Sequence, residues 1–215
     1  MEISTSLLSV EESKIIQTIY DLEVAHTDYF HIDVMDGRFV ENDTSETMRK
    51  YAEYLNQITN VPMDVHLMVS NIKEYIDSYL VFTPHIISFH YEACKNNEEV
   101  HKYIKYIKDN DCKVGLAINP ETKIEEIKEF LPEINVLLVM SVKPGKGGQK
   151  FIESTIDKIK EAKEVIGNLN TEIEVDGGIN LENAKYVKEA GATIAVSGTG
   201  IISSKDYKYT IRNMK

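Results

Sequence analysis

Eight short runs rich in β-branched and aliphatic residues recur along this chain, and a stretch with helical apolar spacing separates each run from the next. The runs are Ile3–Ser9, Tyr29–Asp36, Pro62–Val69, Ile86–Glu92, Lys113–Asn119, Val136–Val142, Glu172–Asp176 and Thr193–Ser197. Between them, residues such as Ile104 and Ile107, or Ile156, Ile159 and Ala162, repeat every three or four positions, the period of one helix face. Such alternation implies βαβ units and an all-parallel sheet. Eight units suit an α/β fold of the closed (β/α)8 TIM barrel type. An open doubly wound sheet has the same local pattern, and periodicity does not separate the two. No Pro/Gly/Ser-rich linker divides the 215 residues, of which 42% are hydrophobic, so a single domain over 1–215 with a full core is expected.

Barrel chemistry is built where strands end and βα loops begin, and the unusual residues of this chain fall there. In His31-Ile-Asp-Val-Met-Asp-Gly-Arg-Phe-Val40, strand alternation sends His31, Asp33 and Met35 to one face and Ile32 and Val34 to the other. Met63-Asp-Val-His-Leu-Met-Val69 repeats the device with His66, and Glu172-Ile-Glu-Val-Asp-Gly-Gly178 ends on Asp176. Two imidazoles and two carboxylates form a mixed nitrogen–oxygen ligand set suited to zinc, iron(II), manganese or cobalt. A hydrogen-bonded polar layer capping the core explains the same residues without a metal. Asp64 shares the face of His66 one layer deeper, and His90 and Glu92 are expected to face inward on the fourth strand. Each is a candidate partner for orienting a ligand.

Three glycine-bearing loops follow strands six, seven and eight: Ser141-Val-Lys-Pro-Gly-Lys-Gly-Gly-Gln149, Asp176-Gly-Gly-Ile179 and Ser197-Gly-Thr-Gly200. The first alone fits a merely flexible loop. Three on neighbouring strands favour backbone N–H groups converging on a phosphate. The net charge of -11 argues against nucleic acid or anionic membrane as a partner but leaves a local phosphate site open. Cys94 and Cys112 form no CxxC motif, so reduced thiols and a cytoplasmic location are expected. The N-terminal residues carry no basic, then apolar, leader pattern. The densest apolar run, Val136 to Met140, is far short of the roughly 20 residues that cross a bilayer.

The segments HIDVMDGRFV, MDVHLMV, FHYEA, GLAINPET, VMSVKPGKGGQKFI, EVDGGI and SGTGI, in this order and along nearly the whole chain, resemble the ribulose-phosphate 3-epimerase family. The resemblance implies a ribulose-phosphate-binding barrel, homo-oligomeric and holding one divalent metal ion. It also implies an isomerase of the pentose phosphate pathway that interconverts D-ribulose 5-phosphate and D-xylulose 5-phosphate. By position, His31, Asp33, His66 and Asp176 match the family's metal ligands, and Asp33 and Asp176 its acid–base pair. Ser6, Met35, Met68 and Met140 match residues lining the sugar site, which His66 also borders. Gly145, Lys146, Gly147, Gly148, Gly177, Gly178, Ser197 and Gly198 match its substrate and phosphate loops. On this basis Asp33 and Asp176 exchange the roles of acid and base across a C2–C3 enediolate.

Three departures stand out. Glu41 replaces a proline, Lys146 replaces a phenylalanine, and Val10-Glu-Glu12 stands where an aspartate commonly follows the first strand. They leave open a six-carbon ketose phosphate such as D-allulose 6-phosphate as substrate. A non-catalytic sugar-phosphate-binding barrel is a further alternative.

Overall fold

Inward and outward residues alternate along eight parallel strands, and the first strand pairs with the last. The computed structural model describes residues 1–215 as a closed barrel with the strands in sequence order. The strands are β1 (Glu2–Ser6), β2 (Tyr29–Met35), β3 (Met63–Met68), β4 (Ile86–His90), β5 (Lys113–Ile118), β6 (Val136–Met140), β7 (Glu172–Asp176) and β8 (Ile194–Ser197). Closure runs through β1 and β8 in register from Glu2 opposite Ile194 to Thr5 opposite Ser197, which excludes the open sheet. The helices are α1 (Ile15–Val24), α2 (Ser45–Ile58), α3 (Ile72–Leu80), α4 (Asn97–Lys108), α5 (Ile124–Ile127), α6 (Thr155–Ile166), α7 (Ala184–Ala190), α8 (Thr199–Ile202) and α9 (Tyr207–Met214). No helix is long and apolar enough to cross a membrane.

Strands one to six stop before the apolar runs that announced them. Leu7, Val69 and Val142 stay buried but already belong to βα loops. The outward faces, such as Phe30, Ile32 and Val34 of β2, join the helices in one core of 52 buried residues. Each such side chain contributes about 1.5–3 kcal/mol on burial. Helix starts are fixed locally: Asn96 accepts the Glu99 N–H (3.0 Å) at α4, and Asp206 accepts the Tyr209 N–H (2.9 Å) at α9.

Inside the barrel the chemistry changes with height. Tyr29, Ile86, Val136 and Ile194, one from each even strand, form a separate apolar cluster at the amino end. One alternation higher, the odd strands present Ser4, Asp64, Gly115 and Glu174. His31, Ser88, Leu138 and Val196 come next, then Ser6, His66, Ala117 and Asp176. Gly115 is a spatial necessity, since a Cβ there would lie 2.0 Å from Ser88 Oγ.

Candidate active site

Strand register brings the four candidate ligands together. Asp33 lies opposite His66 across β2 and β3, and these two converge with Asp176, in the layer of His66, and with His31, one layer below it. One ligand atom from each of the four falls within 4.8 Å of the others. Asp33 Oδ1 is 3.5 Å from His31 Nε2 and 3.7 Å from His66 Nδ1. Asp176 Oδ2 is 3.9 Å and 3.3 Å from the same two nitrogens. Both ring nitrogens are buried and have no hydrogen-bond partner in the fold. Two orphaned imidazole nitrogens facing two carboxylate oxygens fit a divalent cation, whereas a purely structural polar layer would have paired them.

The outer nitrogens are held from behind. His31 Nδ1 lies 2.5 Å from Asp64 Oδ2, which also accepts the Ser4 hydroxyl (2.8 Å). His66 Nε2 lies 2.9 Å from His90 Nε2, and His90 Nδ1 lies 3.1 Å from Glu92 Oε2. Burial opposes a charge on His31, yet the Asp64 and Asp33 carboxylates hold its pKa well above 6.5. His66 is raised too, against its burial, by the facing carboxylates of Asp176 and Asp33. Asp33 moves the opposite way: burial resists its ionisation, but His31 holds the carboxyl well below the usual range. Burial pushes His90 below the ordinary imidazole value, only partly offset by Glu92.

Above this cluster opens a cleft of ≈ 570 Å³, its mouth included. Ser6, Asp33, Met35, Met68, Met140 and Asp176 border it from the strands, and Gly145, Lys146, Gly147, Gly148, Gly177, Gly178 and Gly198 from the loops. His31, His66 and Ser197 do not border it. Both histidines are fully buried beneath, and Ser197 donates its hydroxyl to the Ile179 carbonyl (2.8 Å). Ser6 donates to Asp33 Oδ2 (2.6 Å), which leaves Oδ1 turned to the imidazoles. The N–H groups of Gly177, Gly178 and Gly198 have no acceptor within the fold. Gly178 has φ +67°, and a Cβ there would lie 2.5 Å from the Phe151 nitrogen, so loops six and seven meet backbone to backbone. Helix α6 starts beyond that meeting point, at Thr155.

Other expectations shift in detail. Glu92 is not on β4 but on a 3₁₀ turn, Tyr91–Ala93, just beyond it. Cys112 is buried and Cys94 half-buried, both unpaired. Sequence reasoning missed Glu174, fully buried in the layer beneath the ligands, with both carboxyl oxygens unpartnered. Burial and the neighbouring Asp64 charge raise its pKa well above 4.5. Strand parity alone would have found it, because Glu174 shares the face of Asp176. Gln149 was missed as well; its amide donates to the Lys143 and Lys146 carbonyls (2.7 Å each) and folds loop six over the cleft.

Residues 2–202 match the model of the ribulose-phosphate 3 epimerase family. The chain is 37% identical over 218 residues to the ribulose-phosphate 3-epimerase of Bacillus subtilis, covering 100% of this chain and 98% of that one. It is 36% identical to the chloroplastic ribulose-5-phosphate-3-epimerase of Arabidopsis thaliana, covering 99% and 75%. In three dimensions it resembles a 3-hexulose-6-phosphate synthase from Salmonella typhimurium, with a TM-score of 0.71, 14% identity and coverage of 100% and 96%. The chain belongs to the ribulose-phosphate 3-epimerase family, whose members are isomerases.

Proposed function

We propose that this family member interconverts D-ribulose 5-phosphate and D-xylulose 5-phosphate by inverting C3. The observation that carries the proposal is the pair of carboxylates, Asp33 from β2 and Asp176 from β7, facing each other across the cleft floor. Inversion needs a proton removed from one face of the carbon and another delivered to the opposite face. Two carboxylates on non-adjacent strands can reach both faces, and they exchange the roles of base and acid with direction. Loss of the C3 proton leaves an enediolate whose negative charge lies chiefly on the C2 oxygen.

His31 Nε2, His66 Nδ1, Asp33 Oδ1 and Asp176 Oδ2 are the atoms that would hold a divalent metal. Zinc, iron(II), manganese and cobalt all suit that set. Such an ion supplies Lewis-acid stabilisation of developing oxyanion charge. Asp33 keeps Oδ2 on the Ser6 hydroxyl while Oδ1 faces the imidazoles, so its position is fixed before substrate arrives. Met35, Met68 and Met140, each nearly inaccessible, exclude water around the reacting carbon. The unpaired amides of Gly177, Gly178 and Gly198 support a phosphate at the rim.

The same reading makes the protein a cytoplasmic homo-oligomer acting on a phosphorylated ketose, without nucleic acid or membrane partners. The unpaired cysteines and net charge of -11 support the first and last of these. Exposed Ile16, Tyr20 and Val24, spaced by one turn along α1, support a second copy as neighbour. Light scattering of the eluted protein tests assembly. Turnover measured side by side on D-ribulose 5-phosphate and D-allulose 6-phosphate tests the substrate. Faster turnover of the pentulose is expected, and turnover of the hexulose alone would move the assignment to the six-carbon sugar.

A further inference from the structure

The inner shell leaves one question of chemistry to residues outside it: which nitrogen of His66 carries a proton. His66 Nε2 and His90 Nε2 face each other at 2.9 Å, so one must donate and the other accept. The His90 ring is fixed on both sides, stacked on His66 (centroids 5.0 Å, 26°) and against Phe39 (5.0 Å, 44°). Its other nitrogen, Nδ1, meets the Glu92 carboxylate at 3.1 Å.

We infer that Glu92 is a positioning residue that, through His90, keeps the Nδ1 lone pair of His66 free to bind a metal. A carboxylate only accepts, so His90 donates from Nδ1 and its Nε2 becomes an acceptor. His66 must then donate from Nε2, which leaves Nδ1 as its lone-pair nitrogen. That nitrogen is the buried one without a partner, facing Asp176 Oδ2 and Asp33 Oδ1.

Glu92 is itself held in place. Its Oε1 accepts the Asn119 backbone N–H (2.7 Å) and the Thr122 hydroxyl. The loop carrying those donors is pinned by Lys158 of α6, whose ammonium donates to the carbonyls of Asn119 (3.0 Å), Pro120 (2.5 Å) and Thr122 (2.7 Å). The chain of contacts thus runs from α6 through the β5 loop to the floor of the site.

Glu92→Gln tests the inference. The glutamine oxygen must serve the Asn119 N–H, a donor that cannot reverse. Its amide then donates to His90 Nδ1 and reverses both tautomers. Imidazole ¹⁵N resonances of metal-free protein should show the His90 proton on Nδ1 in wild type and on Nε2 in the variant. Zinc affinity should fall about 10- to 100-fold, with the melting temperature little changed. Thr122→Val, which leaves the carboxylate in place, should keep the wild-type tautomer.

A wild-type His90 protonated on Nε2 would overturn the inference, and this holds even if Glu92→Gln does not fold. An unchanged tautomer in a folded Glu92→Gln protein would overturn it as well. The inference rests on the metal assignment above, but the resonances are read without metal. A wild-type protein with His90 Nδ1–H and no zinc affinity would therefore sink the metal assignment and leave the tautomer relay standing.

Discussion

The two ends of the barrel interior are built from the same strands and differ in almost everything else. β2 places Tyr29 in the apolar layer at the amino end and Asp33 at the carboxyl end, four residues and about 13 Å further along. At the lower end Tyr29, Ile86, Val136 and Ile194 close on one another. At the upper end His31 and His66 keep buried nitrogens without partners, a cost the fold tolerates because a ligand can repay it. The contrast shows how one alternation divides labour by height: stability below, chemistry above.

The sharpest way to break this division is at the top. Asp176→Asn should leave the barrel folded and its melting temperature close to wild type. Turnover should drop by about 10²–10⁴-fold, since an amide cannot carry the proton. Near-normal turnover in a coupled epimerase assay would remove Asp176 from the proton path. The complementary change is at the bottom. Ile86→Ala empties part of a fully buried layer and should cost about 2–5 kcal/mol in urea denaturation. Its kcat at 25 °C should match wild type, and a kcat that fell with stability would show the two ends to be coupled.

Glu174 lies between the ends and sharpens the comparison through pH. The unfolded chain releases this proton near pH 4.5, and the folded chain only at higher pH. The folded state therefore binds more protons in that interval, and stability falls as pH rises from about 4.5 toward the raised value. Glu174→Gln keeps the shape without the titration. Metal-stripped variant and wild type should be similar in stability near pH 4, and the variant should gain on wild type as pH rises, by at most about 1.4 kcal/mol per pH unit. A constant gap in denaturant melts at both pH values would contradict this. The smallest effect is expected at the rim. Lys146→Phe should raise KM about two- to three-fold at low salt and leave it unchanged at high salt, because an exposed charge is screened.

Much of this was legible in the chain, and the gaps have physical causes. The strands could be read because buried parallel strands are unbroken apolar runs, and His31, Asp33 and Met35 followed from parity. Barrel closure could not, since the deciding contact joins residues at opposite ends of the sequence, Ile3 and Ala195 among them. Leu8 and Gln149 border the cleft from loops, where no period marks which side chain turns inward. His90 and Glu92 were recognisable as supports. Their order of contact behind His66 depends on ring orientation and on a 3₁₀ turn, neither of which leaves a pattern in sequence.

The most direct test of the central claim, that Asp33 and Asp176 move protons at opposite faces of C3, is proton exchange itself. D-Ribulose 5-phosphate would be incubated with metal-loaded protein in D₂O and followed by NMR. The account predicts deuterium at C3 as D-xylulose 5-phosphate appears, with exchange lost on chelation and restored by divalent metal. Appearance of D-xylulose 5-phosphate with C3 still fully protonated, or no exchange in a folded and metal-loaded sample, would contradict it.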